Sequence, residues 1–237
     1  MELSVTSERR DDIALNHTAT HLLHAAMKNI LGDHIRQAGS LVQEERLRFD
    51  FTHFSPLTQD EIANIEQQVN AEIRRNTAVA TELQSREEAV AGGATALFGE
   101  KYGDEVRVVT VGSFSKELCG GTHVAATGDI GLFKVLSETG IAAGVRRIEA
   151  VTGARAVAWV QELAGQADAV TDMFSAPLAM APEKIKALLS QQKELEKKVA
   201  ELTAKLALAD LDQVLANAVE VEGIRVIAVE LTLDSAK

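Results

Sequence analysis

Apolar residues along the first third of the chain recur at helical, then strand, then helical spacing. Ile13, Leu22, Leu23, Met27, Ile30 and Leu31 share one stripe, with Ser7 where a cap belongs and Gly32 where a helix stops. This spacing predicts a helix over 7–31. Leu47, Phe49 and Phe51 then alternate with Arg46, Arg48 and Asp50, the period-two mark of a half-buried strand. Pro56 interrupts the pattern. Thr58 and Glu61 form a capping-box pair ahead of Ile62, Ile65, Val69 and Ile73, which predicts a second amphipathic helix.

Residues 79–83 read as a short strand, and Ser85 with Glu88 opens another helical stretch. Valine-rich residues 106–111 read as a buried strand running on towards Cys119, so that cysteine is expected at the end of a sheet. Two more strands, 130–137 and 145–151, are expected on either side of a turn around Gly140. Irregular alternation of this kind favours an α+β fold with an antiparallel sheet and packed helices, ending near Gly153. Residues 1–153 are therefore taken as the first domain.

A helix is expected over 154–174, carrying the single Trp159, with Pro177 and Pro182 bracketing a linker. From 182 to about 219 the apolar pattern is heptad-like, with Ile185, Leu188, Leu195, Val199, Leu202 and Leu206 in one seam and Gln192 at an a-type position. Residues 154–222 thus read as a helical linker and a long coiled-coil-like arm, or a helical hairpin. The seam supports at most weak self-association. Gly223 opens a strand over 224–231 with no later strand to pair with, so 223–237 reads as the first strand of a C-terminal domain cut short.

Composition narrows the function classes. The chain has 237 residues, 46% hydrophobic and 25% charged, enough for a real core. It has no run of eighteen apolar residues, so no membrane-spanning helix is expected. A charged start without an apolar stretch does not read as a signal peptide. A single cysteine rules out an internal disulfide and fits the cytoplasm. The net charge of −11 argues against nonspecific coating of nucleic acid, and DNA is not an expected partner. Local basic spots remain at Arg36, Arg46 and Arg48, Arg74 and Arg75, and Arg146 and Arg147, most simply as solvated salt-bridge partners.

The candidate chemistry lies in two short motifs, His17-Thr18-Ala19-Thr20-His21 and Cys119-Gly120-Gly121-Thr122-His123. On a helix, His17 and His21 share one face about 6 Å apart along the axis. The two glycines are expected to let the backbone turn so that Cys119 and His123 converge on one ion. Thiolate plus imidazoles is a ligand set that suits zinc. His24 shares the stripe but sits about 10 Å of helix rise from His17, so it reads as a supporting or packing residue. His34 and His53 default to ordinary surface or core roles.

Position 18 is Thr, where a zinc-protease helix needs Glu, and neither a deaminase Pro-Cys-x-x-Cys partner nor a phosphate-binding Gly-Lys-Ser/Thr loop occurs. The ordered series Asn16-His17-Thr18-Ala19-Thr20-His21-Leu22-Leu23, Gln37-Ala38-Gly39-Ser40-Leu41-Val42, Arg48-Phe49-Asp50-Phe51, Cys119-Gly120-Gly121-Thr122-His123 and Gly144-Val145-Arg146-Arg147-Ile148-Glu149 resembles the editing domain of alanyl-tRNA synthetases. Free-standing alanyl-tRNA editing proteins share this domain, and threonyl-tRNA synthetases share it more distantly. The resemblance is dense over 1–153 and continues through the helical arm. It implies a zinc-dependent deacylase that hydrolyses mischarged seryl- or glycyl-tRNA for alanine at the terminal ribose, within a parent ligase. It further implies zinc held by His17, His21, Cys119 and His123, an amino-acid pocket shaped by Thr20 and Ser40, Gln37 orienting substrate or water, and Arg146 offered to the tRNA end. Such a second site is needed because a hydrophobic pocket rejects an added hydroxyl by only about 100-fold. Four protein ligands fit a closed structural site, whereas a ligand-exchanging centre would act on substrate, and both remain open at this point. A noncatalytic zinc-stabilised RNA-binding or dimerisation module is the competing class, and a free-standing editing protein a third reading.

Overall fold

The computed structural model describes residues 5–96, 103–216 and 218–227. The first apolar stripe folds as α1 (Ser7–Leu31), stopped by Gly32 at φ 108°. Its N-cap is Thr6 rather than the expected Ser7, and no side chain caps it. The alternating segment forms β2 (Leu47–Thr52), and the capping-box pair Thr58/Glu61 starts α2 (Gln59–Arg74) with both reciprocal bonds made. The same reciprocal box at Ser85/Glu88 starts the short α3 (Arg86–Ala91).

One sheet has strand order β1-β2-β7-β6, all antiparallel, with β1 (Gln37–Val42), β6 (Phe133–Ala142) and β7 (Val145–Thr152). α1 and α2 share a core with its inner face: Leu22, Leu23, Phe49, Phe51, Ile65 and Phe133 all belong to one buried cluster. Each such side chain contributes about 1.5–3 kcal/mol by leaving water. A second, three-stranded antiparallel sheet joins β3 (Val79–Ser85), β4 (Glu105–Val111) and β5 (Ser115–Leu118). The two expected strands near Gly140 are present, but the turn lies at Ala143-Gly144, with Gly144 at φ 70°, and Gly140 sits inside β6. β1 and β5 were not expected from the sequence. β1 is a polar strand with a register shift between Gln37 and Gly39, and β5 has only four residues, so neither shows a readable period.

A buried amide, Asn16, and a half-buried one, Asn70, lock the helices to the sheet. Asn16 Nδ2 donates to the carbonyl of Gln43 at 2.8 Å, while its Oδ1 accepts from Thr152 Oγ1 at 2.8 Å. Asn70 pairs with both backbone groups of Phe133, at 2.8 and 3.0 Å, as another strand would. Burying these amides is tolerable only because their hydrogen bonds are made. The bonds fix the rotation of α1 and hence the direction of its histidines.

The chain divides into two compact units, Met1–Ala164 and Gly165–Lys237, with the division inside α4 (Gly153–Phe174). In the second unit α5 (Ala181–Ala216) takes up the heptad-like stretch, and Pro182 sits in its first turn, where a missing N–H costs nothing. The seam residues Ile185, Leu188, Leu195, Val199, Leu202 and Leu206 are exposed among the described residues, and Gln192 donates to Glu196 one turn on. β8 (Val219–Val221) pairs antiparallel with β9 (Ile224–Val226) through a turn with Glu222 and Gly223 at positive φ. The strand expected from Gly223 therefore has a partner on its N-terminal side, and its expected residues 228–231 lie outside the described residues. No helix among the described residues is long and apolar enough to cross a membrane.

Candidate metal centre and adjoining pocket

α1 carries His17 half-buried and His21 buried on one face. The β4–β5 hairpin ends in the loop bearing Cys119 and His123, which meets that face. One donor atom from each of His17, His21, Cys119 and His123 falls within 4.8 Å of all the others. Cys119 Sγ lies 3.3 Å from His17 Nε2 and 3.3 Å from His123 Nε2, and the Gly121 N–H donates to it at 3.4 Å. These four residues fit a zinc ion in number, softness and convergence.

Neighbouring groups orient each donor. Thr18 Oγ1 donates to the carbonyl of Ala14, which leaves it to accept from His123 Nδ1 at 3.1 Å and from the Val124 N–H at 3.2 Å. His123 is thereby held as the tautomer whose bare Nε2 faces Cys119. Glu117 on β5 places one carboxylate oxygen 2.7 Å from His21 Nδ1 and the other 2.8 Å from His24 Nδ1. His24 thus supports the centre without being a donor to it. Arg107 on β4 donates from Nη1 to the carbonyls of Cys119 at 2.9 Å and Gly121 at 2.6 Å, clamping the loop. Such supporting contacts set ligand direction and basicity.

Gly121 is required by close approach, since a Cβ there would collide with the His17 ring. Neither Gly120 nor Gly121 is among the positive-φ glycines, and a Cβ at Gly120 would meet nothing within 4 Å. The expectation that both glycines serve a tight turn is corrected accordingly.

Burial would raise the Cys119 thiol, but its hydrogen-bond contacts with His123, His17 and His21 outweigh it and bring it from 9.0 to about 3. Burial would lower His21, but the Glu117 carboxylate wins and raises it from 6.5 to about 10. His21 and His24 in turn hold Glu117 far below the ordinary carboxylate range against its burial. His123 is pushed below its usual value, chiefly by burial. Cys119 is therefore a thiolate at neutral pH, ready to accept a cation.

A cavity of about 440 Å³ opens beside this cluster, lined by His17, Thr20, His21, Gln37, Ser40 and Cys119 among others. Thr20 Oγ1 donates to the Asn16 carbonyl at 2.8 Å, which leaves its oxygen as an acceptor. Three of the four expected ligands and all three expected pocket residues thus meet in one place. Arg146 is not among them: its guanidinium is forked onto Glu138, with Nη2 at 2.8 Å and Nε closer still. Arg147 is likewise forked onto Asp50, at 2.7 and 2.9 Å. Thr18, Arg107 and Glu117 were missed from the sequence. Nothing in their spacing marks them, because Thr18 meets His123, and Glu117 meets His21 and His24, only once α1 packs against β5 and the loop after it.

An α+β domain with a three-His, one-Cys cradle facing a polar cavity is the class that this fold and site define. Residues 106–149, which carry Cys119 and His123, match the family described as threonyl and alanyl tRNA synthetase second additional domain. The chain is 54% identical over 227 residues to the alanine–tRNA ligase of Pseudoalteromonas translucida, covering 96% of this chain and 26% of that protein. It is 48% identical over 231 residues to the alanine–tRNA ligase of Idiomarina loihiensis (98% and 27%), and 51% identical over 224 residues to that of Xanthomonas campestris pv. campestris (94% and 25%). Nearly the whole chain is thus similar to alanine–tRNA ligases, and it spans about a quarter of the length of these relatives.

Proposed function

We propose that this chain is the editing segment of an alanine–tRNA ligase and hydrolyses the ester that joins serine, or glycine, to the terminal ribose of the tRNA for alanine. The observation that carries this reading is the meeting of His17, His21 and Cys119 with Thr20, Gln37 and Ser40 in one cavity. Mischarged tRNA is the partner, the cytoplasm the setting, and neither DNA nor a membrane is involved. The longer protein ligates alanine to the same tRNA.

His17, His21, Cys119 and His123 hold the zinc, which when bound supplies a fixed positive charge and Lewis acidity beside the cavity. Thr20 offers an acceptor to the hydroxyl of a seryl group, with Ser40 lining the same wall. A pocket built to hydrogen-bond a substrate hydroxyl rejects an analogue without it by about 10⁴–10⁵, because its own polar groups are left unpaired. Alanine, which lacks that hydroxyl, is spared on this ground, and serine is favoured over glycine. Gln37 carries no charge and orients the ester or the attacking water by its carboxamide. Arg146 serves the tRNA end only after exchanging Glu138 for a phosphate.

Release of serine from mischarged tRNA, followed with and without chelator, tests the reading. The wild-type chain is expected to release serine and leave the alanyl ester nearly untouched, and Gln37→His to lose turnover while keeping its zinc. Serine release at the uncatalysed rate by zinc-loaded protein would favour the noncatalytic zinc-stabilised module.

A further inference from the structure

Around the start of β1 and the end of β2 lie two imidazoles, an exposed phenyl ring and a guanidinium. His34 and His53 stack with centroids 5.2 Å apart and 26° between their planes, His34 Nε2 lying 2.9 Å from His53 Nδ1. Next along the chain, Phe54 is 91% exposed, the one aromatic among the large exposed apolar side chains of the described residues. Its ring lies against Gly144, where a Cβ would sit 3.2 Å away. Arg36 is exposed and pairs with no carboxylate among the described residues. Its Nη1 donates instead to the Asp33 carbonyl at 2.5 Å.

This group is held in place. Thr52 Oγ1 donates to the His34 carbonyl at 2.8 Å and accepts from the Arg36 N–H at 3.0 Å, which ties both residues to the end of β2. Glu61, whose charge reaches His53, is occupied by Thr58 at the start of α2. An exposed aromatic face next in the chain to stacked imidazoles, with a nearby guanidinium held only by the Asp33 and Ile35 carbonyls among the described residues, offers what unstacked RNA bases and their phosphates bind. Phe54 sits in the chain between His53 and Ser55, which pair with each other at 3.3 Å, and these polar flanks suit a stacked base better than an apolar protein surface. Gln37, which lines the cavity, is three residues from His34, at most about 10 Å of extended chain.

We propose that Phe54, the His34–His53 pair and Arg36 form a docking platform for the single-stranded end of an RNA whose last nucleotide enters the cavity. A base stacks on Phe54 and Arg36 meets a phosphate of the same strand. The proposal rests on the reading of tRNA as partner and adds where its end is gripped.

The test measures affinity of the full chain, loaded with zinc, for a transcript of the tRNA for alanine. A second probe is a short single-stranded RNA ending in the tRNA 3′ sequence. Phe54→Ala should weaken both roughly tenfold, with Phe54→Trp restoring them and thermal stability unchanged. Arg36→Ala should reduce the slope of log affinity against log salt by about one. Hydrolysis of seryl-adenosine, too short to reach Phe54, should be the same in wild type and Phe54→Ala. Wild-type affinity in Phe54→Ala overturns the platform and leaves that surface to a protein partner, and absence of RNA binding by the wild type overturns it too. Failure of the wild type to hydrolyse seryl-adenosine and mischarged tRNA alike would count against the editing reading instead.

Discussion

Glu117 holds Nδ1 of His21 at 2.7 Å, and in chelator-treated protein the same contact keeps His21 protonated up to about pH 10. Zinc must displace that proton, so zinc affinity is expected to rise about tenfold per pH unit between His21's ordinary 6.5 and about 10. Glu117→Gln removes the charge that raises His21, so its slope should flatten over this range. Its affinity at high pH should fall about 10–100-fold, since the ligand is less basic and less well aimed. Competition with a chromophoric chelator from pH 6 to 10 measures both, and parallel slopes would show that Glu117 does not set the protonation of His21. The two glycines of the loop make a second contrast. Gly121→Ala should drive the His17 ring away and lower zinc occupancy, whereas Gly120→Ala has open space and should bind zinc like the wild type. Zinc content after gel filtration separates the two.

At the scale of elements, two amphipathic helices and a hairpin deliver the centre. α2 carries no donor, but its residues Ile65, Val69 and Ile73 share the core that holds α1 on the sheet. Thr58→Ala removes the side chain that accepts from the Glu61 N–H and should cost about 1 kcal/mol of unfolding free energy. The loss should appear in urea denaturation with zinc stoichiometry unchanged, because the cap lies at the helix end and not at the cradle. Loss of zinc along with stability would mean that α2 shapes the donors directly. The β4–β5 hairpin acts otherwise: Arg107 reaches across it to two loop carbonyls, so the loop's shape belongs to the sheet.

For the whole molecule, the metal donors, the cavity and the proposed RNA platform all lie within the unit Met1–Ala164. Residues 1–174, which keep α4 whole, are therefore expected to retain full zinc content and most serine release, with tRNA affinity lowered modestly at most. Loss of both zinc and activity in this truncation would show that α5 completes the core. The heptad-spaced seam residues of α5, in the second unit, are exposed among the described residues.

What the chain's own order of residues determined was local. The stripe of α1, the alternation of β2 and the Thr58/Glu61 and Ser85/Glu88 boxes could be read directly, because each depends on neighbours within a turn or two. The donor set was legible for a similar reason: His17 and His21 share a helix face by period, and Cys119 and His123 are four residues apart. Tertiary structure decided what depends on partners far along the chain. The polar β1 is a strand only because β2 supplies its hydrogen bonds, and the strand at 224 has a partner because Glu222 and Gly223 turn the chain back. Arg146 looked like a free cation until Glu138 arrived on the neighbouring strand. Gly121 is needed for a ring 104 positions earlier, and Glu117 for two imidazoles a comparable distance away. Such contacts leave no period in the sequence, because their spacing is set by how α1 lies against two sheets and not by the chain between them.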